Sequence, residues 1–249
     1  MLTKLAVIIA AQAALLLPAG AAEGAQTAKL HVTLSPNQLG ASTTISFGFQ
    51  IAAPDNALPP ALTLLKVRFP PGMGVDTTGL ATCRAALLHH GPQGCSPNSR
   101  VGKGKVDVKV PLGNVIRPET AALTVFNGPR QRGHAALLFY AAGRLPIATQ
   151  LVFTGVIIPS PLGETIEAAI PLIPTLPEAP DAAIVAMAST LGTRQLTYYR
   201  TVGSRRVHFT PKGATLPAHC PTAGFQFAAS FGFNDASTTM AAKTVACPR

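Results

Sequence analysis

Thr43-Thr44-Ile45-Ser46-Phe47-Gly48-Phe49-Gln50-Ile51 alternates without a slip and puts Ile45, Phe47, Phe49 and Ile51 on one face. Successive side chains of a strand point to opposite sides of the sheet, so a sustained period of two marks a strand with one buried face. The signal returns near the end of the chain, where Phe225, Phe227, Ala229, Phe231 and Phe233 share a face. Asn234-Asp235-Ala236-Ser237 follows, then Thr238 to Val245, and this order predicts a hairpin.

Shorter runs of the same kind fill the space between. Lys29 to Leu34 alternates and then turns at Ser35-Pro36-Asn37, and Leu62 to Phe69 places Leu65, Val67 and Phe69 on one side before Pro70-Pro71-Gly72. Further strands are expected at Gly104–Val110, Ala121–Phe126, Ala135–Ala141, Thr149–Ile157, Thr165–Ile170, Ala183–Thr190, Leu196–Thr201 and Arg206–Thr210. Thr82 to Leu88 is the one stretch read as a short helical turn, and Pro111 to Glu119 reads as a loop. About a dozen strands without intervening helices predict an all-β fold. The expected form is an antiparallel β-sandwich, immunoglobulin-like or jelly-roll-like, occupying 22–249 as one domain. Two small β domains, at about 28–115 and 120–249, are the alternative.

The start of the chain has the layout of an export signal. Lys4 supplies a positive charge, Leu5 to Leu17 is an apolar run broken by Gln12, and Ala19-Gly20-Ala21 offers a peptidase site. The run is long enough for a signal core and short for a bilayer span, so 1–21 is expected to be removed. No later stretch has the length and apolarity of a transmembrane segment. The expected location is secreted or extracellular, with association to the cell wall.

Four cysteines in an exported chain predict two disulfides with three connectivities. Pairing neighbours gives Cys83–Cys95 and Cys220–Cys247, and the second pair would clamp the open end of the predicted hairpin. No Cys-x-x-Cys motif or regular His spacing points to a metal, and no cofactor is expected.

The chain carries 20 Lys and Arg against 10 Asp and Glu, a formal charge of +10, with no Trp. Such an excess favours anionic surroundings, here wall polymers or a membrane surface, without a specific nucleic-acid motif. Candidate anion-binding residues are Lys103, Lys105 and Lys109, which share a face at strand period, and Arg200, Arg205 and Arg206. Tyr198-Tyr199-Arg200 beside Arg205-Arg206 is the most site-like group, because adjacent strand residues would bury one Tyr and expose the other beside Arg. Pro171, Pro174, Pro177 and Pro180 recur every third residue and are read as a stiff extended crossover.

Enzyme signatures are missing. There is no G-x-S-x-G, no H-E-x-x-H and no Gly-rich phosphate loop. Glu164 and Glu167 have opposite strand parity, and His89-His90 reads as an exposed loop tip. No catalytic residue is assigned. The leading expectation is a non-enzymatic envelope protein with a structural or adhesive role that contacts anionic polymers. A hydrolase assembled from loops, or a carrier of a small apolar ligand, are the alternatives.

Cys83 followed by Cys95-Ser96-Pro97-Asn98-Ser99-Arg100-Val101-Gly102, after Leu65-Lys66-Val67-Arg68-Phe69-Pro70-Pro71-Gly72, resembles exported β-rich proteins of high-GC actinobacteria. Leu34-Ser35-Pro36-Asn37, Ile170-Pro171-Leu172-Ile173-Pro174-Thr175, Thr197-Tyr198-Tyr199-Arg200 and the Cys220-to-Cys247 hairpin add to the likeness. The resemblance implies an exported β fold and carries no activity, ligand or catalytic residue.

Overall fold

The computed structural model describes residues 26–248. The predicted export signal and its cleavage site lie outside the described residues. The strands are β1 (Thr27–Ser35), β2 (Ser42–Ala52), β3 (Leu62–Arg68), β4 (Gly74–Asp76), β5 (Arg100–Leu112), β6 (Val115–Asn127), β7 (Ala136–Ala142), β8 (Gln150–Ile158), β9 (Thr165–Ala169), β10 (Ala183–Leu191), β11 (Tyr198–Val202), β12 (Arg205–Phe209), β13 (Gly213–Thr215), β14 (Phe225–Phe233) and β15 (Thr238–Val245). The fold is all-β, antiparallel and stapled by two disulfides, as the alternation and the cysteines lead one to expect. Short 3-10 turns account for the helical content, including Ala85–His90 inside the first disulfide loop.

One ladder of thirteen strands runs β15-β14-β3-β9-β8-β7-β6-β5-β10-β2-β13-β4, with β1 on the other side of β2, and β11-β12 stands apart as a two-stranded ribbon. The ladder takes strands from both halves of the chain. From β15 to β1 it contains eleven strands, each antiparallel to the next, so the first and the last run in the same direction. The sheet rolls until these two edges lie side by side. Ser237 Oγ reaches Gln26 Oε1 at 3.1 Å at one end of the seam, and Asn37 Nδ2 donates to the Ala246 carbonyl at 2.9 Å at the other. No backbone ladder joins β1 to β15 in the described residues. The rolled form shields both edges, which otherwise present unpaired N–H and C=O groups.

Every apolar face predicted from alternation turns inward. Ile45, Phe47, Phe49 and Ile51 meet Phe225, Phe227, Phe231 and Phe233 in one core. Phe49 and Phe231 touch edge-on, with ring centres 5.0 Å apart. Outside lie Lys103, Lys105, His31 and Thr33, all exposed. This polarity is the inverse of a lipid-facing barrel. No helix among the described residues is long and apolar enough to cross a membrane.

The stretch from Pro111 to Glu119 corrects the sequence reading. It is not a loop: β5 and β6 pair from Lys109↔Pro118 out to Leu112↔Val115, leaving Gly113-Asn114 as the turn. Gly113 has φ +62, the positive value that a two-residue hairpin turn requires at its first position. Beyond Lys109 the β5–β6 pair has lost its β10 neighbour and beyond Ala122 its β7 neighbour, so its tip projects from the sheet. Pro111 and Pro118 therefore sit where a ladder bond is not needed on both sides. The proline-rich segment is a crossover between β9 and β10, which are not paired. It does not run straight. Ala182 N donates to the Ile173 carbonyl and Ala179 N to the Leu176 carbonyl, which folds it back at Pro177-Glu178.

Cys83–Cys95 packs with Leu88, Phe126, Leu138 and Tyr140 in a second, smaller core outside the sheet. Cys220–Cys247 joins the two roots of the β14–β15 hairpin, with Cα atoms 6.0 Å apart. The disulfides are those of oxidising surroundings.

Candidate functional site

The β11–β12 ribbon is built from Thr197 to Phe209 around a Gly203-Ser204 turn, and its register pairs Tyr198 with Phe209 and Tyr199 with His208. The alternation of the strand sends the two tyrosines opposite ways. Tyr198 is 0% exposed, and its hydroxyl donates to the Arg100 carbonyl at 2.7 Å. Its burial pushes the phenol up to about 12, because the phenolate would have to shed its water. Tyr198 is the anchor.

Tyr199 points out and is 38% exposed. The guanidinium carbon of Arg206 lies 4.0 Å from the centre of its ring, within the range of a cation–π contact. His208 meets the same ring edge-on at 6.1 Å. Arg200 sits on the other face of the ribbon, 5.9 Å from the Phe209 ring centre, and Arg205 shares its parity. The three arginines proposed from sequence are thus on one ribbon but on two faces of it.

Asn98 fastens the ribbon to the first disulfide loop. The Tyr199 N–H donates to Asn98 Oδ1 at 3.2 Å, and Asn98 Nδ2 donates to the Tyr199 carbonyl. One side-chain amide thereby replaces a neighbouring strand. Beside it, Arg100 reaches the Pro92 carbonyl at 3.5 Å, while its Nε is buried with no partner. Arg100 was not among the residues proposed from sequence. A signal was present: 77–106 and 182–234 contain no carboxylate, and they bring Arg84, Arg100, Lys103 and Lys105 together with Arg194, Arg200, Arg205, Arg206 and Lys212. The Asn98–Tyr199 contact and the β5–β10 ladder join these two segments in space.

The lysines divide. Lys103 and Lys105 are exposed on the outer face of β5, at one rim of an open trough of about 570 Å³. The trough crosses β1, β2, β10 and β5, with Gly48, Ala188 and Thr190 along its floor and His31 at the far rim. Lys105 lies 3.7 Å from Asp107. Lys109 shares the strand face but is half-buried and spends its ammonium on the Asn56 and Ala57 carbonyls, at 3.4 and 3.5 Å. The ion pairs among the described residues are Lys66–Glu167, at 3.0 Å, and Lys105–Asp107. The ribbon arginines are in neither.

Glu164 and Glu167 do not converge. Glu167 is held by Lys66, whereas burial pushes the Glu164 carboxyl up from its ordinary value against the Val75 N–H, which draws it down. His89 and His90 end the 3-10 turn and are exposed. Among the described residues, no three His, Cys, Asp or Glu side chains gather to hold a metal ion. No protein-family profile, curated protein or solved structure matches this chain.

Proposed function

We propose that this protein is an exported, non-catalytic adhesion protein that binds anionic polymer of the cell envelope through the β11–β12 ribbon and the adjoining Asn98 loop. The observation that carries this reading is the meeting of two carboxylate-free segments at Asn98 and Tyr199. It leaves Arg206 over an exposed ring, outside any ion pair among the described residues. An arginine held flat on an aromatic ring keeps its fork of donors turned outward, and less side-chain freedom is lost when a phosphate docks. Lys103 extends the positive surface along β5, whereas Lys105 is drawn to Asp107 at 3.7 Å.

Retention on purified cell walls tests the reading. Binding is expected at low ionic strength and release as salt is raised, because phosphate contacts free condensed counterions. A chain carrying Arg200→Ser, Arg205→Ser and Arg206→Ser should elute at clearly lower salt. No retention at low ionic strength, or equal retention of the triple variant, would sink the proposal. Vesicles with and without an anionic lipid separate a polymer from a membrane surface.

A further inference from the structure

The interior of the rolled sheet is not completely filled. A cavity of about 80 Å³ runs along it, lined by residues of β2, β3 and β5 to β10. Ala182 and Leu191, at the two ends of the β10 segment, both line it. The space therefore follows that strand and, at this volume, is thin. Its walls are apolar, with Phe49, Phe139, Phe153, Ile166 and Ile184 among them.

One end of the cavity differs from the rest. Ile147 on the β7–β8 connection and Ile173 on the β9–β10 crossover line it there, together with Glu119. Glu119 Oε1 is buried and has no hydrogen-bond partner. The carboxylate lies against Gly143, in space that a side chain at 143 would occupy. The connections around this end also carry exposed aliphatic residues: Leu145 at 79% exposure, Leu172 and Leu176, with Val115 and Ile116 on the projecting β5–β6 tip. A single exposed Leu needs no explanation. Five on the segments at this end of the sheet are more than scattered single exposure.

We propose that this interior takes the short unbranched alkyl chain of a neutral, hydroxyl-bearing amphiphile, entering between the β7–β8 and β9–β10 connections, with the hydroxyl donating to Glu119. The thinness sets the shape of the chain. At about 80 Å³ the space is near half of the roughly 150 Å³ that admits benzene in an engineered cavity, so a short unbranched chain fits and a ring does not. The orphan carboxylate oxygen sets the head: it needs a donor, and a second carboxylate beside it would repel. This site lies inside the sheet, away from the cationic ribbon, and does not depend on polymer binding.

The probe is 1-hexanol, added to the mature chain with both disulfides intact. Calorimetry should give saturable one-to-one binding, and methyl NMR should shift Val108, Ile166 and Ile184. Ala141→Leu fills the cavity and should weaken binding about tenfold or more, since each methylene contact is worth about 0.8 kcal/mol. Glu119→Ala should weaken it several-fold, and hexanoate should bind more weakly than the alcohol. Shifts confined to Leu145, Leu172 and Leu176 would mean surface adsorption and would overturn the proposal, as would no saturable binding. The wild-type methyl shifts decide the matter even if Ala141→Leu does not fold.

Discussion

Arg206 holds its guanidinium carbon 4.0 Å above the Tyr199 ring, whereas Arg200 stands 5.9 Å from Phe209 on the opposite face of the same ribbon. The closer pair has its ring among the exposed residues, whereas Phe209 is half-buried. Tyr199→Ala should therefore weaken retention on anionic polymer about two- to fivefold, the equivalent of 0.5–1 kcal/mol for an exposed cation–π contact. Tyr199→Phe keeps the ring and should bind like the parent. Removing Arg206 itself should lower the slope of log K against log salt by about one.

Tyr198 predicts an alkaline limit to stability. Its phenol is raised from 10.0 to about 12 in the fold. A raised value means that the folded state keeps the proton longer than the unfolded chain, so the contribution is complete below pH 10 and disappears between pH 10 and 12. Two pK units correspond to about 2–3 kcal/mol. Tyr198→Phe should lose the hydrogen bond to the Arg100 carbonyl, costing about 1 kcal/mol near neutral pH, and should flatten the decline above pH 10. Denaturant midpoints at pH 8 and pH 11 measure both effects.

The Cys220–Cys247 bridge closes a separation of 27 residues against 12 for Cys83–Cys95. On the loop-entropy account it contributes about 3.5 kcal/mol, slightly more than the roughly 3 kcal/mol of the smaller loop. Cys220→Ala with Cys247→Ala should lower stability by that amount and speed amide exchange first in β15, which has a ladder partner on one side alone. Loss of protection in β5 before β15 would contradict this order.

Phe231→Ala should cost about 3–5 kcal/mol, the range for removing a buried aromatic ring. Phe231 is 0% exposed and meets Phe49 with ring centres 5.0 Å apart. These rings come from β14 and β2, each the strand next to an edge of the rolled sheet. Their loss should loosen the β1–β15 seam as well as the core, read as faster exchange at Ala242 than at Val125.

Much of this fold is readable in the chain. The alternation at Thr43–Ile51 and Phe225–Phe233 names both the strand and its inward face, because a one-residue slip would turn every phenylalanine to water. The opposite fates of Tyr198 and Tyr199 follow from the same period. Other parts are hidden. Pro111 and Pro118 suggest a loop, yet both fit a hairpin that outruns its neighbours. Lys109 has the right parity for an exposed cation, but backbone carbonyls of Asn56 and Ala57 happen to reach it. Three-residue strands such as β4 and β13 are too short for any period to register.

Local periodicity and cysteine count are enough to specify strands, their buried faces and an all-β chain made for disulfides, since each depends on neighbours along the chain. The roll of the sheet is a property of the whole ladder: eleven antiparallel strands bring β1 and β15 together in parallel, and no single strand encodes that. The same long-range pairing sets Asn98 beside Tyr199, which are 101 residues apart, and lays Glu119 against Gly143 at the end of the apolar interior. Both candidate binding surfaces arise from such meetings. Burial is written into the order of residues, whereas the meeting of Asn98 with Tyr199, and separately of Glu119 with Gly143, is decided by which strands become neighbours.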